Sequence, residues 1–144
     1  MPPAATILYD SDCGFCRWCL AKVLAWDRRR TLRPLAISSP EGDRILDGMA
    51  AAERMASWHL LDPDGRLHSA GAAFPPLFRL LPGGAPLRAT AARAPRLTDR
   101  VYRWVADHRG WFGRLITAGA KRRADRRIAE RGGQVGQLAD SIEE

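Results

Sequence analysis

The sequence predicts an α/β domain of order β-α-β-α-β-β-α that carries a helical C-terminal extension. Three observations lead there. A short β-prone run, Thr6-Ile7-Leu8-Tyr9, passes through Asp10-Ser11-Asp12 directly into a segment of helical periodicity. A second strand and helix follow, then a hairpin centred on Asp62-Pro63-Asp64-Gly65. From Pro86 onward only helix and turn are legible. The 144 residues are 46% hydrophobic and 27% charged, which suits one closed core and excludes disordered, collagen-like and coiled-coil classes.

Each element has a local reason. From Cys13 to Arg29, the residues Phe15, Cys16, Cys19, Leu20, Val23, Leu24 and Trp26 fall on one half of a helical wheel. Arg17, Ala21, Lys22, Ala25, Arg28 and Arg29 fall on the other half, together with Trp18. Thr31–Ile37 reads as a second strand, and Pro34 marks it as an edge. Ser38 or Ser39 can cap a helix with Ile45, Leu46 and Met49 on its apolar side. Ser57–Leu61 and Arg66–Ser69 form the hairpin; a three-residue loop with a bulge at Gly65 pairs Asp62 with Arg66 and sets His68 opposite Leu60. A helix around Phe74–Leu81 tolerates Pro75 and Pro76 at its start and stops at Pro82-Gly83-Gly84. Two or three Arg-rich helices follow, with breaks expected at Ala94-Pro95, Gly110 and Gly132-Gly133. The expected organisation is a core over 1–84, a helical extension packed on it over 85–131, and a disordered tail over 132–144.

The net charge of +7 is concentrated in one place. Residues 100–131 hold 10 basic and 3 acidic side chains, whereas residues 1–99 hold 13 and 10. The densest run, KRRADRRIAER at 121–131, reads as a solvated helix. A basic adaptor for anionic partners is the functional alternative, but the run lacks the aromatic interleaving of a nucleic-acid platform, and a membrane surface is a weak second partner. No apolar stretch approaches the roughly 18 residues of a membrane span, and the first ten residues do not read as a signal peptide. A cytoplasmic location is expected.

The three cysteines lie within seven residues, too few and too clustered for a disulfide scaffold. Cys13-Gly14-Phe15-Cys16 is a C-x-x-C at the mouth of a helix, where unpaired N–H groups and the helix dipole favour a thiolate. Cys13 is the candidate nucleophile and Cys16 the resolving thiol of a thiol–disulfide exchange. Asp10 and Asp12 oppose a thiolate by repulsion, which Arg17 partly offsets; alternatively, Asp10 accepts the proton of Cys16 during resolution. Cys19 sits on the apolar stripe and reads as a small hydrophobe. A second reading uses Cys13, Cys16 and Cys19 for a soft metal, zinc or copper, with His59, His68 or His108 as a fourth ligand. No second C-x-x-C supports it, and the hairpin register puts His59 and His68 on opposite sides of the sheet. Each histidine is expected to be a hydrogen-bonded structural residue. Trp18 is expected to be covered by later helices, from among Tyr102, Trp104, Val105, Trp111, Phe112, Leu115 and Ile116.

The opening LYDSDCGFC resembles the DCC family, named for its D-x-x-C-x-x-C motif and regarded as thiol–disulfide oxidoreductase-like proteins. Asp10, Cys13 and Cys16 match the motif, with Gly14-Phe15 between the cysteines. SSPEG, SWHLLDPDGRLHSAG, LLPG and VYRWVADHR extend the likeness over roughly residues 5–116. Ser11 stands where the family often has Gly, and Cys19 is additional. The resemblance implies a thioredoxin-like three-layer sandwich with a four-stranded mixed sheet, in which the third strand runs antiparallel to the first and begins at Ser57 beside the cysteines. Thioredoxins place a cis-proline there; this chain has Ser57, which leaves the thiols more open to a soft ion. The implied partners are a thiol or disulfide substrate, protein or small molecule, and an electron donor; no cofactor is required.

Overall fold

In the computed structural model, residues 5–142 are described, with side chains through residue 131. Strand β1 (Ala5–Tyr9) is followed by α1 (Gly14–Trp26), β2 (Leu32–Ala36), α2 (Pro40–Ile45) and α3 (Ala51–Ala56). The hairpin β3 (His59–Leu61) and β4 (Leu67–Ser69) leads through a 3-10 turn (Ala70–Ala73) into α4 (Phe74–Leu80). Helices α5 (Ala85–Arg93), α6 (Pro95–Asp107), α7 (Arg109–Leu115) and α8 (Ala118–Ile142) complete the chain. The sheet order is β2-β1-β3-β4, with β1 parallel to β2 and antiparallel to β3. This is a mixed four-stranded sheet of thioredoxin-like α/β type.

The alternation of β1 divides the core in two. Ala5 and Ile7 pack with Leu20 and Leu24 of α1 and Leu77 of α4, whereas Leu8 packs with Ile37 and Leu46 on the other side. Helices therefore cover both faces, which makes three layers. Pro34 lies on edge strand β2, where its missing N–H costs no ladder bond. In the hairpin, Asp62 N–H donates to Arg66 O at 2.9 Å and Gly65 has φ 83°, while Leu60 pairs with His68. The turn chemistry thus gave the right register.

Several sequence expectations need correction, and the two or three helices expected after Pro86 are four, α5 to α8. The single helix after Ser39 is two helices, because the chain reverses at Gly48 with φ 87°. The break expected at Gly110 falls at His108, whose ring Nδ1 hydrogen-bonds the Trp104 carbonyl at 2.7 Å and closes α6; Gly110 lies inside α7. The run 121–131 is not simply solvated. Lys121, Ala124, Ile128 and Arg131 recur at helical spacing, and all four are at least partly buried where α8 docks on α1 and β2. Beside Trp18 this helix is an added neighbour that the sequence did not point to: Trp18, Ala21 and Lys22 share a groove with Ala120, Arg123 and Ala124. Helix α8 runs through Gly132-Gly133, where a break was expected; the tail expected to be disordered over 132–144 falls where no side chain is described.

A buried ion pair fastens this docked helix. Asp27, wholly buried at the end of α1, accepts from Thr31 N–H, Leu32 N–H and the Thr31 hydroxyl at 2.8–3.0 Å. Arg131 reaches Asp27 Oδ2 at 3.0 Å and also donates to the Leu24 and Asp27 carbonyls at the end of the helix, the latter shared with the Arg30 N–H. Burial alone would push the Asp27 carboxyl up, but the bonds from Leu32, Thr31 and Arg131 outweigh it and hold the carboxyl below its ordinary value.

Asp27→Ala should cost about 3–5 kcal/mol, since it leaves the Arg131 guanidinium buried without its counter-charge. A urea titration at pH 7 measures the loss. Because the folded carboxyl titrates low, its contribution is complete above the ordinary carboxylate range and fades as pH falls through the depressed folded value. Wild type should therefore lose stability on acidification more steeply than the variant.

Candidate active site around the cysteines

Cys13 occupies the N-cap of α1 with extended backbone, and its Sγ accepts the Cys16 N–H at 3.3 Å. The sulfur thus takes the role that Ser or Asp commonly plays at this position. Gly14 leaves room above it for α8: a Cβ there would lie 3.1 Å from Lys121 Cε. Phe15 stacks between Trp18 and Phe112, with centroids 6.4 and 5.3 Å away, which ties the motif to α7.

Asp10 closes the turn before the cysteines. Its Oδ1 accepts the Asp12 N–H at 3.0 Å, its carbonyl accepts the Cys13 N–H at 3.3 Å, and its side chain is only 12% exposed. Asp12 itself is exposed. Arg17, expected to offset these acids, points elsewhere: it donates to Ser11 O at 2.8 Å and pairs with Asp125 of α8 at 2.9 Å.

The cation that does reach the site is Arg109, the first residue of α7. Its Nη1 lies 3.9 Å from Cys16 Sγ and 3.6 Å from Asp10 Oδ2, and its Nη2 donates to Met55 O at 3.4 Å. Sequence reasoning gave this residue no role, although it closes the VYRWVADHR segment. Tyr102, expected only as packing over Trp18, accepts the Trp58 N–H on its hydroxyl at 3.1 Å and so pins the loop before β3 to α6. Helix α6 can sit that close because Gly71 carries no side chain; a Cβ there would overlap the Asp99 backbone. Ser57 lies in that loop in extended conformation and shares a cavity wall with Cys16 and Cys19.

Burial, then the hydrogen bond and charge of Cys13, push the Cys16 thiol up to about 12, with Arg109 pulling the other way. Burial, followed by the charge of Cys13, pushes Cys19 up to about 12 as well. All three cysteines are free thiols. Among the described residues, no group of three or more His, Cys, Asp or Glu side chains is arranged to hold a metal ion. The histidines are held separately. Buried His59 bonds Ser69 Oγ at 2.6 Å and Arg54 O at 2.9 Å, His68 bonds Asp62 at 2.7 Å, and His108 caps α6. Since the Arg54 carbonyl can only accept, His59 carries its proton on Nε2; burial lowers its pKa, against the opposing pull of that bond.

A dithiol at the mouth of the first helix, beside a mixed four-stranded sheet, defines a thioredoxin-like protein of the thiol–disulfide class. The chain belongs to the DCC1-like thiol-disulfide oxidoreductase family, whose model matches residues 7–114. Comparison with curated proteins and with solved structures gives no match. Among the described residues no helix is long and apolar enough to cross a membrane.

The electrostatics predict an order of labelling. At pH 9 a thiol titrating at about 12 is ionised to roughly 0.1%, so Cys16 and Cys19 should alkylate slowly, about tenfold faster per pH unit. At pH 9, Cys13→Ser should speed labelling of Cys16 and Arg109→Met should slow it. Peptide mass spectrometry of iodoacetamide-treated protein measures all three rates.

Proposed function

We propose that the protein catalyses thiol–disulfide exchange through Cys13 and Cys16. The observation that carries this reading is the placement of Cys13 Sγ at the α1 N-cap, where it accepts a backbone N–H one turn from Cys16. That position suits a sulfur bearing negative charge. The Cys13 thiolate attacks a substrate disulfide, forms a mixed disulfide and expels one substrate thiolate. Cys16 then loses its proton and attacks Cys13 Sγ, which closes the Cys13–Cys16 disulfide and releases the second thiolate. The substrate gains two electrons and the protein dithiol loses them. A thiol or dithiol donor restores the reduced form, so no cofactor is needed, and a cytoplasmic thiol pool would suit it.

Cys16 needs help to ionise, since burial holds its proton. Arg109 supplies positive charge beside its sulfur, and Asp10, on the same guanidinium, is the proton acceptor. Asp10 has a second duty in the turn, through its bond from Asp12. Asp12, Gly14, Phe15 and Ser57 are neighbours that shape the site. The soft-metal reading through Cys13, Cys16 and Cys19 draws no support from the side-chain placement.

Cys13→Ser should abolish exchange, Cys16→Ser should trap mixed disulfides on Cys13, and Cys19→Ala should retain most of the activity. Equal losses from the Cys13 and Cys19 substitutions, with stoichiometric zinc in the wild type, would overturn the reading. Asp10→Asn keeps the turn bond but loses the charge, so it should slow release of the mixed disulfide roughly tenfold or more while sparing its formation. Asp10→Ala should impair both steps and cost about 1 kcal/mol of stability. Rapid mixing with a chromogenic disulfide separates the two steps.

A further inference from the structure

Beside the cysteines lies a part-open cavity of about 220 Å³ that the exchange chemistry does not by itself explain. Cys16 and Cys19 contribute to its wall, and Phe15, Trp58, Phe74 and Val105 are among its apolar lining. It reaches from α1 and the sheet across to α6, so its walls come from both the core and the extension.

The wall is mostly apolar, and three of its polar side chains, Tyr102, Asp10 and Arg109, are engaged inside the protein. The Tyr102 hydroxyl takes the Trp58 N–H. Asp10 takes the Asp12 N–H and faces Arg109. Arg109 divides its guanidinium among Asp10, Cys16 and Met55. An ion or a strongly hydrated group entering here would lose its water and find few replacement partners, which costs several kcal/mol. An apolar group loses nothing of the kind. An apolar void of about 150 Å³ is already enough to hold a benzene ring. This cavity therefore has room for one ring with a methylene, or for a branched alkyl group of similar size, with its sulfur at the cysteine end.

We propose that the cavity is a substrate subsite and that the preferred substrate is a small, uncharged disulfide with an aromatic or branched aliphatic body. This rests on the exchange activity proposed above and names the substrate class for it. The apolar body enters between α1 and α6, and Cys13, whose sulfur sits against the N–H of the cavity-lining Cys16, attacks the disulfide sulfur held at the rim. One substrate half leaves as a thiolate; attack by Cys16 on Cys13 then frees the half seated in the cavity and leaves the protein as its Cys13–Cys16 disulfide. The substrate disulfide is the two-electron oxidant in this turnover.

Single-turnover oxidation of the fully reduced chain by dibenzyl disulfide, bis(2-hydroxyethyl) disulfide and cystamine tests the proposal. Each rate is divided by the rate of dithiothreitol with the same compound, which removes intrinsic reactivity. The normalised rate for dibenzyl disulfide should exceed the other two at least tenfold. A ratio near one, with bis(2-hydroxyethyl) disulfide still reduced, would overturn the subsite and leave the exchange activity standing. Failure with all three disulfides would overturn the exchange activity instead. Toluene, which cannot exchange, reads the cavity separately: it should raise the Tm of wild type and of Cys13→Ser alike. Ala106→Phe, or the smaller Ala106→Leu should the first not fold, fills the space and should remove both the toluene shift and the benzyl preference. A toluene shift that survives the filling, or is absent in wild type, counts against the cavity. The wild-type rate ratio decides the matter whichever variant folds.

Discussion

Helix α1 has to bury two faces at once, and most of the architecture answers that demand. Leu20 and Leu24 go into the core beneath the sheet, while Ala21 is buried on the side toward α8. A helix with one apolar stripe needs one partner layer; this one needs two, so the chain must come back over it after the sheet is complete. The return is made by α6, α7 and α8. The last of these is locked by the pair of Arg131 with Asp27, and α7 is held by Phe112 on Phe15. The cysteines, at the N-terminal end of α1, are thereby enclosed from one side by elements that lie about ninety residues further along the chain.

That enclosure sets the chemistry of the three thiols apart. Cys13 caps the helix, with its sulfur on the Cys16 N–H, whereas Cys16 and Cys19 line the cavity between α1 and α6. The same burial that pushes the latter two thiols up makes the Arg109 guanidinium effective, because a charge beside a partly desolvated sulfur is screened less than one in water. The carboxylate of Asp10 completes a compact arrangement of opposite charges around one sulfur.

What was legible in the sequence was local. The strand–C-x-x-C–helix order, the edge position marked by Pro34, and the hairpin register set by Pro63, Asp64 and Gly65 all rest on neighbours in the chain. The positions of Asp10, Cys13 and Cys16 followed from the same short motif. Arg109 and Tyr102 were not legible, because their roles depend on how α6 and α7 cross α1, and one Arg in an Arg-rich segment carries no distinguishing signal. The docked face of α8 left a faint trace: Ala124 and Ile128 interrupt the charged run at helical spacing, and a wheel drawn over 121–131 would have found it. Cover over Trp18 by later helices was expected, but the part played by α8 was not, since the polar arc of α1 concealed that Ala21 is a contact residue.

The Asp27–Arg131 latch joins positions 104 residues apart in a 144-residue chain. A ribosome delivers these positions in order, so α1 and its three cysteines emerge long before the helix that covers them exists. During that interval Trp18, Ala21 and Asp27 face the surrounding water, and the thiols meet whatever oxidants that water contains. Only when position 131 clears the exit tunnel can the latch close and the finished environment of Cys16 be assembled. The nascent protein therefore passes through a stage in which its reactive residues are present but their protective packing is not, and the time taken to make and release the chain beyond α1 sets how long that stage lasts.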